Sequence, residues 1–249
     1  MTDQFEQQQS HKEVFSMTDK TVSTFAPPCA MPNGLQWTDQ GLFVIDQYSD
    51  RVYLMDEEGF VSRSFETPTS NGSGITHGGG YLWTASNGRN TRREGHDTDT
   101  DVSWVYQLSD QDGSFVNRWR TPDGGGIHGI EYDNGLLWVT AFNPKSIYLV
   151  DPAKDFEVVK SFEVPYERLH GLARDGEGIW CAHTSDKIIV KYNIETGAEL
   201  DKIVFPEGSP APHGLSIKDG VLWYADANIN NAAQQQILQS KSDIGIIER

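Results

Sequence analysis

The sequence predicts an all-β chain built from five copies of one four-stranded unit, and three observations predict it. The first is an offset. A Gly followed by Leu or Ile recurs at Gly34, Gly74, Gly129, Gly171 and Gly214, and an aromatic stands nine residues after each: Phe43, Trp83, Trp138, Trp180 and Trp223. The copies lie 40, 55, 42 and 43 residues apart. A fixed offset held across variable spacers marks a structural repeat. The second is turn chemistry. In the third copy the runs GIEY, LLWVTAF, SIYLVD and EVVKSFEVP are separated by DNG, NPK and PAKDF. Asn-Gly, Asn-Pro and Asp-Pro punctuate strands, and long amphipathic helical patterns are absent. The third is a mark on the last strand, an apolar residue three before a Pro. It appears as Phe65 with Pro68, Trp119 with Pro122, Phe162 with Pro165, and Ile203 with Pro206.

Four strands in roughly 40–45 residues make a propeller blade, so the prediction is a five-bladed β-propeller. The fifth copy lacks its fourth strand, because the chain ends at Arg249 just after DIGIIE. The same mark stands near the other terminus, as Phe25 and Pro28 in TVSTFAPP. Residues 21–28 are therefore expected to complete blade five and close the ring, leaving no unpaired gap. The expected domain is 19–249, with 1–18 a loose, Gln-rich tail.

The chain has 249 residues, of which 37% are hydrophobic, enough for a sizeable core in one all-β domain. Its formal net charge is -16. A surface of that sign repels nucleic acid and anionic membranes, so neither is an expected partner. No apolar run is long enough to span a bilayer, and the first residues lack the apolar core of a secretory signal. Cys29 and Cys181 read as two free thiols, which fits a reducing cytoplasm.

In a propeller the residues just before the inner strands ring the mouth of the central channel. Here they are Asn33, Ser73, His128, His170 and His213. Three imidazoles in register on consecutive blades suit a divalent metal, Zn or Fe by ligand type, with Mg, Mn or Ca as alternatives. Asn33 and Ser73 would face the open side, where substrate binds. The bland alternative is that each His bonds loop backbone, or that neutral rings line a wet channel. A second column, three residues past the repeat aromatic, holds Asp46, His183 and Asp226 as acid–base candidates. Asp at a strand end also caps turns, which is their structural alternative. Glu131, two residues past its Gly, is the only carboxylate in a column shared with Gln36, Thr76, Ala173 and Ser216. A buried Glu needs a metal or a basic partner. His77 falls out of register and reads as a loop residue.

Two connections are long, 87–102 and 227–242, and both should overhang the mouth. The first carries Arg89, Arg92 and Arg93, which could hold an anionic substrate or be offset by Asp97, Asp99 and Asp101. The second contains AAQQQIL, a short helical lid by its pattern. Phosphate loops, a nucleophile elbow, HExxH and paired-Cys metal motifs are absent.

The segments APHGLSIKDGVLWYAD and HGLARDGEGIWCAHTSDKIIVKYNIETGAEL resemble the propellers of the streptogramin lyase group. They also resemble the gluconolactonase group and the five-bladed glutaminyl cyclotransferases. The resemblance spans 21–249 and rests on blade features. The lyases have seven blades and use a divalent metal with a His base. The gluconolactonases have six and hold their metal with Glu, Asn and Asp. The cyclotransferases match the blade count, but their early catalytic Glu has no counterpart in PNGLQW or FVIDQY. Carotenoid oxygenases offer an analogy by ligand type alone, a four-His iron on a propeller axis. The resemblance implies a metal-assisted site at the channel mouth. Elimination by a lyase is expected first, then ester or lactone hydrolysis, then metal-centred oxidation. The other class is a non-catalytic propeller that binds a small molecule or peptide.

Overall fold

A computed structural model describes residues 20–227 and 242–249. Twenty strands form five antiparallel four-stranded sheets. Blade one runs β2 (Pro32–Thr38), β3 (Gly41–Asp46), β4 (Arg51–Met55), β5 (Val61–Glu66). Blade two runs β6 (Gly72–Gly78), β7 (Tyr81–Ser86), β8 (Trp104–Ser109), β9 (Phe115–Arg120). Blade three runs β10 (Ile130–Asp133), β11 (Leu136–Phe142), β12 (Lys145–Asp151), β13 (Glu157–Glu163). Blade four runs β14 (Leu169–Asp175), β15 (Gly178–His183), β16 (Ile188–Asn193), β17 (Glu199–Val204). Blade five runs β18 (Gly214–Lys218), β19 (Val221–Asp226), β20 (Asp243–Glu248), and its outer strand is β1 (Lys20–Phe25). The turns follow the local chemistry. Asn134 and Gly135 both adopt positive φ, 52° and 93°, as a two-residue hairpin between twisted strands requires.

The core lies between the blades. Each repeat aromatic sits in an apolar cluster shared by its own blade and the next. Phe43 packs with Ile75, Leu82 and Tyr106 of blade two, and Trp83 with Ile130, Leu137 and Val139 of blade three. Trp138, Trp180 and Trp223 repeat the arrangement, the last against Leu35, Trp37 and Val44 of blade one. Fully burying a side chain such as Phe43 stabilises the fold by roughly 1.5–3 kcal/mol, so these aromatics hold neighbouring sheets face to face. The marked apolar residues of the outer strands point into the same clusters: Phe65, Trp119 and Ile203 are buried.

Closure follows the expected route. β1 pairs antiparallel with β20 from Lys20 opposite Glu248 to Phe25 opposite Ile244. Phe25 then packs on Trp37 and Trp223, and Ser23 donates to Asp243 at 2.6 Å. Both Cys residues are free. Among the described residues no helix is long and apolar enough to cross a membrane. The expected tail over 1–18 and the AAQQQIL lid lie outside the described residues. One expectation needs correction. His77 is not in a loop but on β6, opposite Leu82, with Nε2 3.1 Å from Asp110.

Candidate functional site

The inner strands β2, β6, β10, β14 and β18 meet around the axis, and their repeat glycines let them meet. A Cβ built on Gly34 would lie 2.9 Å from Gly74 Cα, and one on Gly214 would lie 2.9 Å from the Asn33 carbonyl. Those on Gly74, Gly129 and Gly171 would enter the carbonyls of His128, His170 and His213. The residues before these glycines therefore lie against the preceding blade, beside the axis of the ring. Irregular pairing helps to place them. The ladder breaks between Pro32 and Gly34, between Gly72 and Gly74, and between Leu169 and Leu172, at Asn33, Ser73 and His170. Such bulges redirect side chains.

The three expected histidines do come together. The His128 and His170 ring centroids are 4.2 Å apart, and those of His170 and His213 are 4.6 Å apart. His170 and His213 are fully buried, while His128 is half-buried and packs its ring against Phe142. Four buried ring nitrogens lack a hydrogen-bond partner: His128 Nδ1, both nitrogens of His170, and His213 Nε2. Burial lowers the His128 pKa to about 3, with His213, Arg168 and Arg92 adding to the effect. Burial and the neighbouring rings push His170 down as well. These two rings are therefore neutral at pH 7. His213 Nδ1 lies 2.7 Å from the Ala211 carbonyl, which can only accept. The Nδ1 proton is thus fixed, and Nε2 is the nitrogen left without a partner. Asp226 stands 3.6 Å from the same Nδ1 and also accepts from Ala211 N.

On the opposite side of the mouth, Asn33 and Ser73 differ. Ser73 donates to the Ile127 carbonyl at 2.6 Å and serves the backbone. Asn33 is fully buried; its Nδ2 donates to Gln47 at 2.7 Å, and its Oδ1 has no partner. Gln47 Nε2 donates onward to Asn71 Oδ1 at 2.8 Å, and Arg92 donates to the same oxygen at 3.3 Å.

The basic loop divides by function. Arg89 pairs with Asp101 at 2.7 Å on the surface. Arg93 is buried between Asp50 and Asp99, at 2.5 and 2.6 Å, and pins the loop to blade one. Arg92 is the member that reaches inward, donating to Asn71 Oδ1, and burial and the Arg168 charge lower its pKa. Arg168 carried no repeat signal and was not legible as a site residue. It lies two residues before His170, and its charge reaches His128, His170 and Arg92.

The remaining acid–base candidates lie elsewhere. Asp46 accepts from Met31 N, Tyr48 N, Ser49 N and Ser49 Oγ, which makes it a turn anchor. His183 ends β15 and bonds Tyr192 at 2.9 Å, with its ring against Tyr166, and burial lowers its pKa to about 4. Glu131 is three residues past His128, roughly 10 Å along an extended strand. It belongs to a belt below the histidines, in which Thr76 reaches Gln36 at 3.0 Å and Glu131 at 3.3 Å, and Gln36 reaches Ser216 at 3.5 Å. Burial raises its pKa to about 8, against the pull of Arg174 N and Thr76, so it is a neutral acid at pH 7.

Neutral imidazoles with unpartnered nitrogens are the donor type that Zn or Fe prefers. As placed, no group of three or more His, Cys, Asp or Glu among the described residues is arranged around one ion. The donor chemistry fits, and joint ligation requires the rings to turn about their side-chain bonds.

With this geometry in hand, comparison with known proteins adds the following. No protein-family model matches the chain, and no curated protein matches it in sequence. Solved structures do match. A glutaminyl cyclase from Myxococcus xanthus superposes with TM-score 0.62 at 12% identity, over 93% of this chain and 94% of the other. Virginiamycin B lyase from Staphylococcus aureus gives 0.53 at 18% identity, over 90% of this chain and 68% of that one. A chain of a nidogen/laminin complex gives 0.58 at 16%, over 76% and 69%. What these chains share is the propeller fold. The propeller fold is thus shared with enzymes and with a chain of a nidogen/laminin complex, and its function has to be argued from the site.

Proposed function

We propose that this propeller is an enzyme acting on a small molecule at its channel mouth, with a divalent metal held by His128, His170 and His213. One observation carries the reading: four partnerless buried nitrogens on three contiguous imidazoles. Each buried polar group left unsatisfied costs about 1–3 kcal/mol, so a metal that takes one nitrogen from each ring removes three of these four penalties.

Bound there, Zn or Fe would polarise a carbonyl or acidify a water. The protein's own parts have separate roles. The Ala211 carbonyl and Asp226 hold the His213 ring in the tautomer that offers Nε2. Phe142 covers one side of His128 and limits water there. His128, the half-buried ring, is the side from which a substrate approaches. Arg92 and Arg168 place positive charge at the rim of an otherwise acidic molecule, which favours a substrate bearing a carboxylate or other anion. Asp226 is the base candidate that stands beside the histidines.

Elimination is the preferred reaction. A fold neighbour is a lyase, and a His-to-Ala variant of that lyase is described as catalytically inactive. Ester or lactone hydrolysis uses the same polarised carbonyl. Mass spectrometry of products from a panel of anionic cyclic esters separates the two. An elimination opens the ring to an unsaturated product of unchanged mass, whereas hydrolysis adds one water. Metal-loaded protein that turns over no member, yet binds one, is a binding propeller and sinks the enzymatic reading.

A further inference from the structure

Asn33 takes its place on the axis next to His213, because Gly214 of blade five packs on the Asn33 carbonyl. Which end of its amide is left without a partner is decided by a chain of neighbouring amides. The oxygen and nitrogen of an amide are nearly isosteric, so their assignment rests on the hydrogen-bond network. Arg92 has only donors. Its guanidinium meets the Asn71 side chain at 3.3 Å, so Asn71 must present its oxygen there. That oxygen also receives Gln47 Nε2 at 2.8 Å. Gln47 is thereby turned, and its oxygen is left to receive Asn33 Nδ2 at 2.7 Å. Asn33 Oδ1 is what remains, buried and without a partner. Reversing all three amides would satisfy Asn33 and Gln47 equally well, but would set Asn71 Nδ2 against the guanidinium, donor facing donor.

We propose that Arg92, acting through Asn71 and Gln47, aims the Asn33 oxygen into the axial site, where it is the fourth protein donor to the divalent cation. This rests on the metal reading above. It makes Asn33 a ligand and Arg92 a positioning residue, with Gln47 and Asn71 as the relay. It also completes the donor set: three imidazole nitrogens supplied by blades three to five and one oxygen from blade one. Ser73, engaged with Ile127, leaves the second blade as the open side.

The test turns on a sign. A guanidinium near a cation repels it, so removing Arg92 should tighten metal binding if its charge is all that matters. The relay predicts weakening, because the freed amides can flip and turn Asn33 NH2 toward the metal. The measurement is calorimetric titration of the metal-free full chain with Co²⁺, with the cobalt absorption spectrum as a second readout. Arg92→Met should weaken Co²⁺ by about ten- to a hundredfold, as loss of an outer-shell partner does. Arg92→Lys, still donor-only, should restore most of the affinity. In an Asn33→Asp background both terminal atoms are oxygen and no aiming is needed, so Arg92→Met should weaken nothing. Tighter or unchanged binding by Arg92→Met in the native background overturns the proposal, as does an equal loss in the Asp background.

The relay has a metal-free readout as well. In the apo protein, Arg92→Met should shift the side-chain amide NMR resonances of Asn33 and Gln47. If they stay in place, the relay is wrong whatever the metal does. If they shift while the wild type takes up no Co²⁺, the relay stands, and both the ligand role of Asn33 and the metal reading fall.

Discussion

His128 and His170 are ordinary in sequence and unusual in place. His170 is fully buried and His128 half-buried, no side chain or carbonyl partners their buried nitrogens, and both are held neutral. Glu131 is a second misfit, a carboxyl with its pKa raised to about 8 by burial in the belt with Thr76. Its linkage to stability has a definite sign. The folded state holds the Glu131 proton more tightly than the unfolded chain, so this contribution is complete below about pH 4.5 and is lost as pH rises to about 8. Unfolded His residues are only half titrated at about pH 6.5, but their contribution is common to wild type and Glu131→Gln, so the difference between the two proteins isolates Glu131. Between pH 6.5 and 8 the wild type should lose about 1–2 kcal/mol relative to Glu131→Gln. Urea titrations at both pH values measure this, and parallel losses in the two proteins contradict it. At this scale the sequence was informative where the repeat spoke. The three His and Glu131 were legible because each sits at a fixed offset from its Gly. Arg168, Gln47 and Asn71 were not, because they lie on connections whose approach to the axis depends on distant blades. Asp46 and His183 were expected at the mouth because they share a column. At the ends of β3 and β15 these two serve as a turn anchor and a partner of Tyr192, whereas Asp226, ending β19 in the same column, stands 3.6 Å from His213.

Among elements, the inner strands set the diameter of the ring. Their glycines matter for close approach rather than for backbone freedom. Gly129 is the clearest case, since a Cβ there would enter the His170 carbonyl and also meet the Thr140 methyl. Thr140 Oγ1 accepts from Gly129 N at 2.9 Å, so the strand cannot shift without breaking that bond. Gly129→Ala should therefore destabilise the fold by about 1–3 kcal/mol, the usual range for overpacking. It should also widen the spacing of His128 and His170. Thermal denaturation checks the first effect and metal affinity the second. A variant as stable as the parent would show that blades three and four have slack. The repeat was legible from spacing alone, since Gly and aromatic hold one offset in every copy. The bulges at Asn33, Ser73 and His170 were not, because ladder irregularities leave no mark in composition. His77 was misplaced for a related reason: being out of register with the other histidines says nothing of strand length, and β6 runs through it to Gly78.

At the scale of the whole molecule, closure turns a linear repeat into a site. With β1 paired to β20, blade five is held against blade one, and Phe25 seals that joint on Trp37 and Trp223. Only then do His213 and Asn33 become neighbours and the three imidazoles form an arc with a defined open side. The N-terminal strand was predictable because its Phe-Pro offset copies that of the other outer strands. Of the two neighbouring charges only Arg92 was legible, on its long basic loop; Arg168, on the connection into blade four, carried no signal. The account stands or falls on whether that arc holds a metal. Elemental analysis of untagged protein, purified without chelator, tests this most directly. It should find close to one transition-metal ion per chain, lost in His170→Ala while the β-sheet circular dichroism is retained. Wild-type protein with clearly substoichiometric content of every transition metal, and no uptake when metal is supplied, would contradict it.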